Sequence, residues 1–269
     1  MEKMIRKEYL LYLNQKQIKI VCTALEEYCQ LRLNNWDMLA QDIALDDHDI
    51  KILENKHEYD RFVQRREASI TMLQNAMKEA RPSGIFQKTE DMMIAEKLWM
   101  VIQGEPYLEQ EDDTESSPGE AFPQISLDNG FYVLHVNRCQ MKTMKTALEE
   151  YFRLRMNQWF DFANEVALDG YQYDKNDPDN SEKFNAYIMR RDAAKEAFER
   201  VSKIAQPRGI RLKTEKMLIV EDIWQVIRHR LFLDCEGPRD EWCVDAREPL
   251  QFSNEPLPEI RSVDSPGKR

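Results

Sequence analysis

Ten basic and aromatic side chains stand where an anion could be held, and they fall into two matched sets. Arg32, Trp36, Arg65, Arg66 and Lys88 form the first; Arg155, Trp159, Arg190, Arg191 and Lys213 form the second. A guanidinium grips a phosphate or carboxylate through two parallel hydrogen bonds, and an indole offers a stacking face. A lysine just before a helix adds charge beside unpaired backbone N–H groups. The chemistry such a set would perform is recognition of an anionic nucleotide. A plainer reading stands beside it. Leu25, Cys29, Arg32 and Trp36 are spaced four, three and four apart, so Arg32 lies in line with an apolar stripe. A guanidinium buried there needs a partner, and Glu26 or Glu27, with Glu149 or Glu150 in the second set, would serve inside the protein. Adjacent helical residues point about 100° apart, so only one of Arg65 and Arg66, and one of Arg190 and Arg191, faces the stripe. The other is then placed for an ion pair at i±4.

Catalytic chemistry finds little material. His48, His57, His135 and His229 are the four histidines, and none has a match in the other set. His229 sits between Arg228 and Arg230 near a helix C-terminus, where the helix dipole favours cations. The chain has eight glycines and no GxSxG, HExxH or phosphate-cradling glycine loop. The acidic groups Asp46-Asp47-Asp49 and Asp174-Asp177-Asp179 lack the alternating ligands, glycine and closing glutamate of a calcium loop. No catalytic residue, metal site or cofactor is expected. Of the five cysteines, Cys22 and Cys29 share a helix face as small core residues, and no CxxC or zinc spacing occurs. Free thiols in a reducing cytoplasm follow.

The elements that position these residues are themselves repeated. Thr23-Ala24-Leu25-Glu26-Glu27-Tyr28 returns as Thr146-Ala147-Leu148-Glu149-Glu150-Tyr151, an offset of 123 residues. Arg65-Arg66 returns as Arg190-Arg191 and Lys88-Thr89-Glu90 as Lys213-Thr214-Glu215, an offset of 125. Register kept over such a distance means two copies of one folded unit. Each copy opens with a strand, Tyr9 to Leu13 and Phe131 to Val136, rich in β-branched and aromatic residues. Asn14 and Asn137 follow as helix N-caps. Apolar residues at three- and four-residue steps predict a long helix over 15–43 and 138–167. A second helix is expected over 57–80 and 181–205. A third, capped by Thr89 and Thr214, ends near Gln103 and Leu231. Trp99 and Trp224 are matched and read as core packing.

The expected fold is therefore mostly α, with two tandem repeats, each a short β-strand followed by three helices. The repeats span residues 1–103 and 131–234. An acidic linker joins them over 104–130. A proline-rich tail over 235–269 is expected to be disordered, with Trp242 and Phe252 as residues that could dock on a partner. The net charge of −11 argues against direct nucleic-acid binding and suits a partner with a basic surface. No apolar run approaches the ~20 residues needed to cross a bilayer, and none near Met1 is long enough for a signal-peptide core.

The segment Ala24-Leu25-Glu26-Glu27-Tyr28-Cys29-Gln30-Leu31-Arg32-Leu33-Asn34-Asn35-Trp36, its copy from Ala147 to Trp159, and the phrase Ile223-Trp224-Gln225-Val226-Ile227-Arg228-His229-Arg230-Leu231 carry a resemblance. They resemble a family of small uncharacterised helical proteins of bacteriophages and prophages, here duplicated in tandem. The first copy lacks the basic cluster that closes the second. The resemblance implies a phage or mobile-element origin and a compact helical unit. The leading expectation is a non-enzymatic binding protein that engages a host protein in the bacterial cytoplasm, in counter-defence or regulation. Sequestration of a small anionic nucleotide is the rival, a virion accessory role the third, and homo-oligomerisation stays open.

Overall fold

The computed structural model describes residues 7–33, 35, 37–44, 55–80, 89–104, 123–156, 158, 163, 180–205, 213–235 and 246–263. Among them it is mostly helical, with seven helices and one four-stranded antiparallel sheet. Strand β1 (Glu8–Leu13) buries Tyr9, Leu11 and Leu13 and turns Glu8, Leu10 and Tyr12 to its other face, the two-residue period of a half-buried strand. It pairs with β3 (Phe131–Asn137), Leu11 lying opposite Leu134. Two further strands, β2 (Gln124–Asp128) and β4 (Glu259–Val263), form the edges, giving the order β2-β3-β1-β4. Strands β2 and β3 join through Asn129 and Gly130, at φ 48° and 84°. Two successive left-handed residues are what a tight type I′ hairpin requires.

Helix α1 (Gln15–Arg32) starts with a reciprocal cap. The Asn14 side chain accepts from the Lys16 and Gln17 N–H groups at 2.9 and 3.0 Å, and the Gln17 side chain accepts from the Asn14 N–H at 2.9 Å. The same box opens α5 (Arg138–Arg155), between Asn137 and Gln140 at 2.8 and 2.9 Å. The unbroken helix expected over 15–43 is in fact two. The Asn35 N–H reaches back to the Gln30 carbonyl at 2.8 Å, the six-to-one bond that closes a helix C-terminus, and α2 (Asp37–Ala44) begins afresh. Gln158 makes the matching bond to the Arg153 carbonyl, also at 2.8 Å, and ends α5.

Helices α3 (Lys56–Ala80) and α6 (Asn180–Ala205) fill the spans expected of the second helix. Helices α4 (Glu90–Gln103) and α7 (Glu215–Leu233) are the third. The Thr89 hydroxyl accepts from the Met92 N–H at 3.3 Å as the N-cap of α4, and Gly104 ends it at φ 74°. That angle suits a residue without a β-carbon.

The described chain forms two compact units, and each draws on both halves of the sequence. The first takes residues 1–28, 88–151 and 215–269; the second takes 29–87 and 152–214. The boundaries thus cut across the expected division into 1–103 and 131–234. The first unit holds the sheet and buries Tyr9, Leu11, Leu25, Leu98, Leu134, Leu148 and Ile223. The second has its own core, in which Leu31, Leu39, Leu73, Leu154 and Phe198 meet Ala40, Ala163, Ala194 and Ala197.

The tail departs from the expected disorder. Residues 246–263 are folded, ending in β4 on the edge of β1. Its prolines signal disorder by composition, but acceptors and donors on other elements satisfy its backbone. The carboxylate of Asp222 on α7 accepts from the Phe252 N–H, the Ser253 N–H and the Ser253 hydroxyl at 2.7, 3.0 and 2.6 Å. The Gln225 side-chain amide both donates to and accepts from the Leu250 backbone at 3.3 Å. Gln17 donates to the Pro256 carbonyl at 2.6 Å, and Glu255 takes Asn14 and Lys16 at 2.8 and 2.5 Å. The expected linker likewise contains β2 at its end. The acidic run Glu109–Asp113 and Trp242 lie outside the described residues.

Candidate functional site

The second unit carries most of the residues singled out by spacing, and local folding explains where each goes. Arg32 closes α1 and is buried, at 7% exposure, as its place in the apolar stripe requires; its match Arg155 is half-buried. Arg32, Arg65, Arg155, Arg190, Arg191 and Lys213 are all engaged in interactions, as are the buried carboxylates Glu27 and Glu150. Arg66 donates to the Asp37 carboxylate at 3.2 Å, joining α3 to the first turn of α2. Arg191 turns to its neighbour Asp192 instead, at 2.7 and 2.9 Å. The difference is chemical: the residue matching Asp37 is Phe160, which offers no carboxylate. Lys213 lies 5.0 Å over the Phe152 ring, a cation–π contact whose match would be with Cys29. Arg66 and Arg191 thus pair with carboxylates at unmatched positions. Trp36, Trp159 and Lys88 lie outside the described residues, as do the loops holding Asp46–Asp49 and Asp174–Asp179.

One duplicated feature escaped the sequence reading. Tyr59 and Phe62 on α3 meet at 6.3 Å between ring centroids and 46° between planes. Phe184 and Tyr187 on α6, 125 residues later, repeat the pair at 6.2 Å and 42°. Tyr59 is 43% exposed and Phe184 45%. The three-residue spacing puts both rings of a pair on one side of the first helical turns. The signal was present, an aromatic pair at the repeat offset, but aromatic residues on a helix ordinarily read as core.

The first unit has its own polar cluster where β1, α5, α7 and β4 meet. Asp234 receives Lys7 at 3.3 Å and Arg230 at 2.9 Å, while Arg138 donates to the Asp234 carbonyl at 2.8 Å. Arg230 also reaches Ser262 and lies 5.8 Å over the Tyr9 ring. Burial, together with the Asp234 carboxylate, pushes the Tyr9 phenol up to about 12. Arg228 is buried over the Trp224 ring at 4.7 Å. The closing-helix phrase therefore serves the fold: Gln225, Arg228 and Arg230 all have internal partners.

Among the described residues no cluster of three histidines, cysteines or carboxylates has the geometry to hold a metal ion. Cys22, Cys29, Cys139 and Cys235 are in no disulfide. No helix among them is long and apolar enough to cross a membrane. No family model, curated protein or solved structure matches the chain.

Proposed function

We propose that this chain is a non-enzymatic binding protein of bacteriophage or prophage origin, made of two copies of one unit, that engages a host protein in the bacterial cytoplasm. The observation that carries the reading is the recurring aromatic pair, Tyr59 with Phe62 and Phe184 with Tyr187, in which Tyr59 and Phe184 are exposed beside half-buried partners. Exposed rings held in fixed geometry lose little entropy on binding, and aromatic residues are enriched where protein partners meet. The copies gain support from the matched capping boxes of α1 and α5 and their matched helix ends. Nucleotide sequestration draws less support, because the arginines it needs are engaged within the protein.

The test is capture from bacterial lysate with the wild-type chain and with Tyr59→Ala combined with Phe184→Ala. A host protein should be retained by the wild type and lost by the variant. The variant's Tm should stay within about 4 °C, since both sites are half exposed. Equal capture by both chains, or a nucleotide that raises Tm strongly in a parallel thermal-shift panel, would replace this reading.

A further inference from the structure

We propose that each half of this chain is built to bind a second copy of its own unit: the chain is a strand-exchanged dimer fused into one polypeptide, and its halves stay together when the link between them is cut. This rests on the duplicated unit put forward above. Strand β2 follows α4 as β4 follows α7, so β1 and β2 belong to the first half and β3 and β4 to the second. All three pairings in the sheet are then between halves: β1 with β3, β1 with β4, and β2 with β3. Among the described residues no strand pairs with a strand of its own half.

The registers match residue by residue. Leu11 lies opposite Leu134, its own match at 123 residues, which places a two-fold axis through that pair. Gln124 lies opposite His135, and Glu259 opposite Tyr12, which is the match of His135. Ile125 and Ile260 lie opposite Leu134 and Leu11. The edge strands even share a phrase, Pro123-Gln124-Ile125 and Pro258-Glu259-Ile260, with both prolines buried, both isoleucines half-buried and the residue between exposed. The repeat therefore runs through the segments expected to be linker and tail. In the second unit α3 also meets α6 of the other half, and Leu73 shares a core with its match Phe198.

A half on its own would carry two strands whose backbone N–H and C=O groups have no sheet partner, a state that drives association. The halves are not interchangeable. Glu255 of the second half takes Lys16 of the first at 2.5 Å, and the residue matching Lys16 is Cys139, which brings no ammonium.

The test places a protease recognition site with flexible flanks between Asn129 and Gly130, where the first half passes into the second, in the full chain and cuts it after folding. Both fragments should elute as one particle of the uncut mass, 32.0 kDa plus the inserted site. The cut protein should melt in one transition whose Tm falls about 3–5 °C per tenfold dilution, while the uncut chain's Tm does not move. Elution of two separate folded fragments, a dilution-independent Tm after cutting, or loss of soluble protein on cutting would each overturn the proposal. Those outcomes leave lysate capture by the uncut chain untouched, so the two readings fail separately.

Discussion

The Asp222 carboxylate is fully buried and receives three hydrogen bonds from Phe252 and Ser253. Asp222→Ala would leave the Phe252 and Ser253 N–H groups without that acceptor, at about 3 kcal/mol of stability. We expect Tm to drop about 6–12 °C, with the tail cut faster by an added protease; an unchanged Tm would mean that solvent replaces the carboxylate freely. Alkaline stability is set by two other buried groups. Burial, with Asp234 adding to it, raises the Tyr9 phenol from its ordinary 10.0 to about 12, and burial raises the Cys22 thiol from 9.0 to about 11. Both protons are held more tightly in the folded chain than in the unfolded one. Stability therefore declines as pH rises from about 9 to about 12, and is unaffected by these groups below that window. Tyr9→Phe keeps the ring and removes the phenol's share, so its Tm should fall less steeply between pH 10 and 12 than the wild type's. Parallel curves would assign the decline to other groups. At this scale the sequence disclosed the burial of Arg32, because the spacing of Leu25, Cys29 and Trp36 puts it in line with a core stripe. It did not disclose the exposure of Tyr59 and Phe184, because an aromatic residue on a helix ordinarily reads as core.

Among the elements, the capping boxes make a local prediction. Asn137→Ala removes the acceptor for the Gln140 N–H at the start of α5 and should lower stability by about 1 kcal/mol. In thermal melts that is about 2–4 °C; a smaller shift would show that water caps the helix as well. Helices α3, α4, α6 and α7, strands β1 and β3, and the caps at Asn14, Asn137 and Thr89 were legible because short-range patterns specify them. The end of α1 at Arg32 was not, since the apolar periodicity runs on past it through Leu39 to Ile43. The six-to-one bond from Asn35 that stops the helix is a backbone event with no apolar signature. Strands β2 and β4 were hidden for a different reason. Their proline-flanked sequences form strands only against the edges of β3 and β1, and the segment leading into β4 takes hydrogen bonds from Asp222, Gln225 and Gln17.

For the molecule as a whole, the recurring residues were visible in the sequence but the way their segments pair was not. Two copies joined by an acidic stretch suggest beads on a string, whereas here both compact units contain residues from both halves. Period and composition say nothing of which copy a strand pairs with. The pairing of Glu8 with Val263 brings nearly the two extremes of the described chain together. Ribosomes add about 5–20 residues per second, so roughly 13–50 s separate the synthesis of the first strand from that of its last neighbour. Throughout that interval the edge of β1 that β4 will cover stays open on the nascent polypeptide, the kind of exposed strand edge that invites wrong pairing before synthesis is finished.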